Sequence, residues 1–178
     1  MYSRDDLKKT LLQHRLWLKS NGSQGERADL AGANLASLDL FNANLKHANL
    51  AAANLSDAIL LGADLSGADL SDAILADADL TAANLSDADL TSAELYSVSL
   101  LGAKLTGADL TGANFEHANL SNADLDGVYL VNANLTGANL TGADLTGADL
   151  DGAIGLKESA ASRKLLEARI RRAIKRNL

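Results

Sequence analysis

At 178 residues the chain fits a single domain, and without cysteine it has no disulfide framework and no thiol for metal or nucleophile chemistry. Aromatic residues are only 3% of the chain, and the 47% apolar fraction is carried by Ala and Leu, so it lacks the large, varied side chains of a conventional interdigitated core. The net charge of −7 divides into +3 over residues 1–27 (six basic, three acidic), −16 over 28–153 (two lysines, 18 acids) and +6 over 154–178 (eight basic, two acidic).

The first segment, 1–27, reads as a capping helix and lead-in. Ser3 and Asp6 have the spacing of a capping box. Leu7, Leu11, Leu12, Leu16, Trp17 and Leu18 follow at roughly helical spacing, and Asn21-Gly22 is a stop signal. Ser3, Arg4, Asp5 and Asp6 are not a signal-peptide start. No run approaches the roughly 18 consecutive apolar residues of a spanning helix. The expectation is a cytoplasmic protein with no membrane association.

From Leu30 to Leu150 a large apolar residue recurs every five positions, 25 times without a slip, with Phe115 the one substitute for Leu. Two residues earlier stands a small residue, Ala except at Leu38, Val98 and Val128, and between them is usually Asp or Asn. A period of five fits neither the helix nor the strand, so the segment 28–153 is read as an internal repeat, A-(D/N)-L-X-X. The second residue after each central Leu is Gly, Asn or Asp at 18 of the 25 positions. These types tolerate the positive φ that a type II turn demands at its third residue.

This pattern closely resembles the pentapeptide repeat family over residues 28–153, about 70% of the chain. The lead-in, with His14, Trp17-Leu18, Gly25 and Arg27, is similar to those of some bacterial members. The resemblance implies an all-β solenoid, a right-handed quadrilateral parallel β-helix of about six coils with short N- and C-terminal capping helices. Four pentapeptides make one 20-residue coil. The central Leu and the small residue two before it point inward, and the other three point outward. At a strand spacing of about 4.8 Å the rod is roughly 30 Å long.

The repeat stops where Gly155 takes the place of the next Leu, and 154–178 reads as a basic amphipathic helix capped by Ser159 or Ser162. Its apolar stripe is Leu166, Ile170, Ala173 and Ile174. Three readings stand. It is a cap on the last coil, a dimerisation helix (the resemblance implies end-to-end homodimers for some members), or a basic helix for a membrane or nucleic acid.

A 20-residue period sorts the outward residues into four faces, numbered 1 to 4 from the sides centred on Leu30, Leu35, Leu40 and Leu45. Face 1 carries an acidic column, Asp29, Asp69, Asp89, Asp109 and Asp149. Face 3 carries Phe41, Ile59, Leu61 and Leu101 at outward positions, and Phe41 and Leu61 stand 20 apart, one above the other. A contiguous exposed apolar patch marks an interaction surface. Ile74 and Tyr96 on face 2, and Tyr129 and Val131 on face 1, read as isolated surface residues. His14, His47 and His117 are dispersed, and no phosphate-binding glycine motif is present. No catalytic residue, cofactor or metal site is expected, and so regular a rod has no concave pocket. The expectation is a non-enzymatic protein-interaction or scaffold module, presenting a rigid acidic rod with one partly apolar face to a protein partner, without direct binding of nucleic acid. The alternative, implied by the resemblance, is a DNA mimic that binds DNA gyrase or another DNA-binding protein. A charge of −16 over the rod is roughly one per 2 Å, near duplex DNA's one per about 1.7 Å.

Overall fold

A computed structural model describes residues 4–156. Helix α1 spans Arg4–Lys19, with Asp5 and Asp6 in its first turn and Lys19 in its last, each favourable to the helix dipole. Ser3, the other half of the expected capping box, lies outside the described residues. The helix ends as the Asn21-Gly22 pair predicts. Gly22 N–H donates to the Trp17 carbonyl (2.9 Å) and Asn21 N–H to that of Leu18 (3.4 Å), with Asn21 at φ 50°. That is a Schellman closure. The chain then doubles back so tightly that a Cβ on Gly25 would meet the main chain of Gln13 and Trp17.

The rest of the described chain is one ladder. Residue i pairs in parallel with residue i+20, from Asp29 with Asn49 through to Asn134 with Ile154, one residue past the expected end of the repeat. The register confirms four pentapeptides per coil.

Within the stack, a pentapeptide with Asp or Asn before its central Leu accounts for its five N–H groups in a fixed way. Leu50 illustrates it. Its own N–H donates up the stack to the Asp69 carbonyl (2.7 Å), and Asn49 N–H donates down to Ala28 (2.9 Å). Ala52 N–H donates up to Ser71 (2.7 Å), and Ala53 N–H closes the turn onto the Leu50 carbonyl (3.0 Å). The fifth, Ala51 N–H, donates to the Asn49 side chain (3.2 Å).

The interior holds the central Leu of every pentapeptide and the small residue two before it. Leu30 to Leu135 are at most 4% exposed, and Phe115 replaces one Leu without breaking the stack. In the final coil Leu140 and Leu145 are only half-buried. At the other end α1 lies over the first coil, with Leu7 buried in the same core and Leu11 packed against it. Where the small residue is Ala, the turn-closing bond is 2.9–3.1 Å; at Leu38, Val98 and Val128 it lengthens to 3.3–3.4 Å. A larger inward side chain pushes the turn open.

All 25 corner residues have positive φ, including Ala52 and Ala82 at 54° and 55°, Ser37, Ser92 and Ser97, and the two histidines His47 and His117. The turn is therefore imposed by the ladder, not by residue preference, at the seven corners that lack Gly, Asn or Asp.

A candidate protein-interaction surface

The Asp or Asn before each central Leu points outward, but it is first of all a cap. At all 19 Asp or Asn residues in this position, the side-chain Oδ1 accepts the N–H of the residue two further on. Asp89 with Thr91 (2.9 Å), Asp69 with Ser71 (3.0 Å) and Asp109 with Thr111 (3.0 Å) are examples. Asp29 and Asp149 do the same at 3.4 and 3.2 Å. The acidic column of face 1 is thus part of the turn chemistry, a role that charge counting alone did not disclose. Asn residues also bridge coils, as in Asn49 Nδ2 to Asp29 Oδ1 (2.8 Å) and Asn114 Nδ2 to Glu94 Oε2 (3.0 Å).

Six pentapeptides lack that cap, having Ile59, Ile74, Glu94, Ser99, Lys104 or Tyr129 at the position. The N–H two residues on then has no side-chain acceptor from its own turn. In four of the six the uncapped residue is large and apolar: Leu61, Tyr96, Leu101 and Val131. At these four turns loss of the cap and an outward hydrophobe coincide, whereas Phe41 keeps its cap on Asp39 (3.0 Å).

Face 3 holds two of these. Phe41 is 56% exposed, Ile59 46% and Leu101 39%, with Leu61 half-buried between coils. The register brings Phe41, Ile59 and Leu61 together on the first two coils: Ile59 pairs with Asp39, and Asn42 N–H donates to the Leu61 carbonyl (3.0 Å). Leu101 stands apart. Thr81 lies between it and Leu61, with its N–H on Asp79 (2.9 Å) and its hydroxyl paired with Ser99 (2.9 Å). The patch is a three-residue cluster with Leu101 as an outlier.

The acids concentrate elsewhere. The 20-residue register places seven on face 1 and five on the adjoining face 4, namely Asp64, Asp87, Asp124, Asp126 and Asp144. Face 3 has only Asp39 and Asp79. Face 2 gathers Ile74 (42% exposed), Tyr96 (42%) and His117. Tyr96 meets the His117 ring edge-on at 5.8 Å, and His117 Nε2 lies 3.6 Å from Glu116. Tyr129 is 52% exposed on face 1. Among the described residues no group of His, Asp or Glu is arranged to hold a metal ion, and no helix is long and apolar enough to cross a membrane. The stripe Leu166, Ile170, Ala173 and Ile174 lies outside the described residues.

The family model for pentapeptide repeats matches residues 33–75, 73–112 and 113–152, in eight copies. This chain is a pentapeptide repeat protein. The four-sided coil is accordingly the family's right-handed quadrilateral β-helix. Among solved structures, the pentapeptide repeat protein is similar to HetL of the cyanobacterium Nostoc sp. strain PCC 7120, which is involved in regulating heterocyst differentiation. They share 34% identity over 75% of each chain, with a TM-score of 0.42. It is similar to QnrB1, a plasmid-mediated fluoroquinolone resistance protein, at 26% identity over 72% of this chain and 67% of that one, TM-score 0.47. A third relative is Rfr23 of the cyanobacterium Cyanothece 51142, at 30% identity over 71% of this chain and 87% of that one, TM-score 0.33. No curated protein matches the chain. Members of the family are generally structural or interaction modules, and no enzyme family matches.

Proposed function

We propose that this pentapeptide repeat protein is a non-enzymatic interaction module that holds a protein partner against face 3, with Phe41, Ile59 and Leu61 as the apolar centre and Leu101 at its margin. One observation carries the reading. Two exposed hydrophobes, Phe41 and Ile59, adjoin half-buried Leu61 on the face with the fewest charges, at positions that are small or polar in most of the rod. Two of them, Ile59 and Leu61, belong to a turn that has given up its cap. A rigid ladder keeps such a patch in register without ordering side chains at the moment of binding, which favours affinity.

A second reading rests on different residues. Seven acids on face 1 and five on face 4 form one acidic side of the rod, which supports mimicry of duplex DNA toward gyrase or another DNA-binding protein. One experiment separates the two. The full chain is used for quantitative affinity purification from its source cell, beside Phe41→Thr/Leu61→Thr and Asp69→Asn/Asp109→Asn. A partner lost only by the face 3 variant supports the first reading. One lost only by the acid variant, and displaced by duplex DNA, supports the second. Equal retention by both variants refutes both.

A further inference from the structure

His14 is the one buried titratable residue of the described chain, 0% exposed, between α1 and the first coil. Its Nδ1 accepts the N–H of Ala28, the residue at which the ladder begins, at 3.0 Å. Only an unprotonated Nδ1 can accept, so the proton of the neutral ring sits on Nε2. Nε2 is itself buried and has no hydrogen-bond partner of good geometry. On α1 the ring stacks against Trp17, with centroids 5.8 Å apart and planes at 12°. Trp17 in turn backs onto Gly22, where a Cβ would come within 3.2 Å of the indole nitrogen.

Burial holds this imidazole below the ordinary histidine range. The Lys46 main chain on the first coil acts in the opposite direction, while Arg27 from the lead-in and His47 from the first coil both repel a charged ring. None of the groups acting on it is a carboxylate.

We infer that His14 is an acid-release catch for the N-terminal cap: protonation of Nδ1 removes the acceptor of the Ala28 N–H and undocks α1 from the first coil. The proton arrives from solvent and stays on the ring. Two donors, Nδ1–H and Ala28 N–H, then face each other, and a cation lies beside Arg27 with no counter-charge. Opening relieves both at once. It also uncovers the end of the Leu columns at Leu30, Leu35, Leu40 and Leu45, which are at most 4% exposed with the cap in place.

The sign follows from linkage. The docked form binds the proton less readily than the released form, so docking is at full strength above the ordinary value of 6.5 and is lost as pH falls below it. One proton excluded from the docked state raises the opening constant by up to tenfold per pH unit below that value, with a ceiling of about 30-fold between pH 7.5 and 5.0.

The test is amide hydrogen exchange of the full chain, corrected for its intrinsic pH dependence, together with the emission maximum of Trp17, the only tryptophan. Over that range the α1 amides should open progressively, by at most about 30-fold, and Trp17 should shift to the red, while the amides of Leu50 to Leu130 stay protected. His14→Asn keeps an acceptor near the Nδ1 position and cannot titrate, so its α1 should be indifferent to pH; His47→Gln should behave as wild type. A flat wild-type profile overturns the inference, as does a wild-type slope surviving in His14→Asn or vanishing in His47→Gln. If His14→Asn is open at every pH, the slopes of the wild type and of His47→Gln decide the matter by themselves.

Discussion

Asn42 lies directly over Gly62. Its Oδ1 occupies the space a Cβ on Gly62 would need, whereas nothing lies within 4 Å of the same point at Gly102, two coils further along the same column. Both glycines have left-handed φ, 67° and 62°. The corner column of face 3 alternates Asn42, Gly62, Ala82, Gly102, Asn122 and Gly142, because a side chain in this conformation folds over the next corner.

Gly102→Ala should therefore lose only the conformational advantage of glycine, about 1 kcal/mol. Gly62→Ala should lose that and also displace Asn42, for about 2 kcal/mol or more. Asn42→Gly should bring the two substitutions level. Equilibrium unfolding in guanidinium of the three single variants and of the double variant Asn42→Gly/Gly62→Ala decides, and equal losses at Gly62 and Gly102 would refute the stacked-corner account.

Ala52 and Ala82 are held at φ 54° and 55°, where a Cβ is unfavourable and glycine is not. Ala52→Gly and Ala82→Gly are each expected to stabilise the rod by about 0.5–1 kcal/mol, read as a rise in melting temperature. A fall would mean that the ladder leaves these corners unstrained.

Asp89 separates cap from charge. Its Oδ1 accepts Thr91 N–H at 2.9 Å, and its column neighbours Asp69 and Asp109 are also acids. Asp89→Asn keeps the acceptor and should be neutral or slightly stabilising. Asp89→Ala removes it and should cost about 0.5–1.5 kcal/mol. If the alanine variant is as stable as the asparagine one, the side chains are surface charge and nothing more.

Ile59→Asn should restore a cap to the Leu61 N–H, stabilising the chain by about 0.5–1 kcal/mol, while weakening capture of the face 3 partner. Stability gained at the expense of function is the usual sign of a binding position. Thermal melting and the affinity purification above read the two sides separately, and a variant that gains stability with binding intact would remove Ile59 from the proposed surface.

Leu80 is 0% exposed at mid-stack. Leu80→Ala should cost about 2–5 kcal/mol through the cavity it leaves, and Leu80→Asp should bury a charge without a partner and unfold the rod. Circular dichroism and melting of the aspartate variant that match wild type would refute the inward assignment of the Leu column.

Much of this molecule was legible from one observation, the slip-free recurrence from Leu30 to Leu150. A period of five with a Gly, Asn or Asp corner has few backbone solutions, so coil, register and inward residues followed. The outward neighbours Phe41 and Leu61 were equally legible, being 20 apart. Three features were not. The capping role of Asp69 or Asp89 is invisible in composition, where a carboxylate counts only as charge. The corners at Ala52 and Ala82 contradict residue preference, and three ladder bonds per pentapeptide overrule it. The sequence placed His14 in the N-terminal cap, within a lead-in similar to those of some bacterial members, but gave it no role, and only its docking makes it a buried acceptor.

The sequence by itself thus determined the repeat, the square coil and the order of the inward stack, because these depend on spacing along the chain and on the volumes of Leu and Ala. The tertiary structure alone decided which polar atoms are consumed within the turns and which outward side chains adjoin as a patch. It also placed the His14 imidazole out of reach of water. Those properties depend on atoms 14 to 20 residues apart meeting across coils, and distance through space is the one quantity that a linear pattern does not contain.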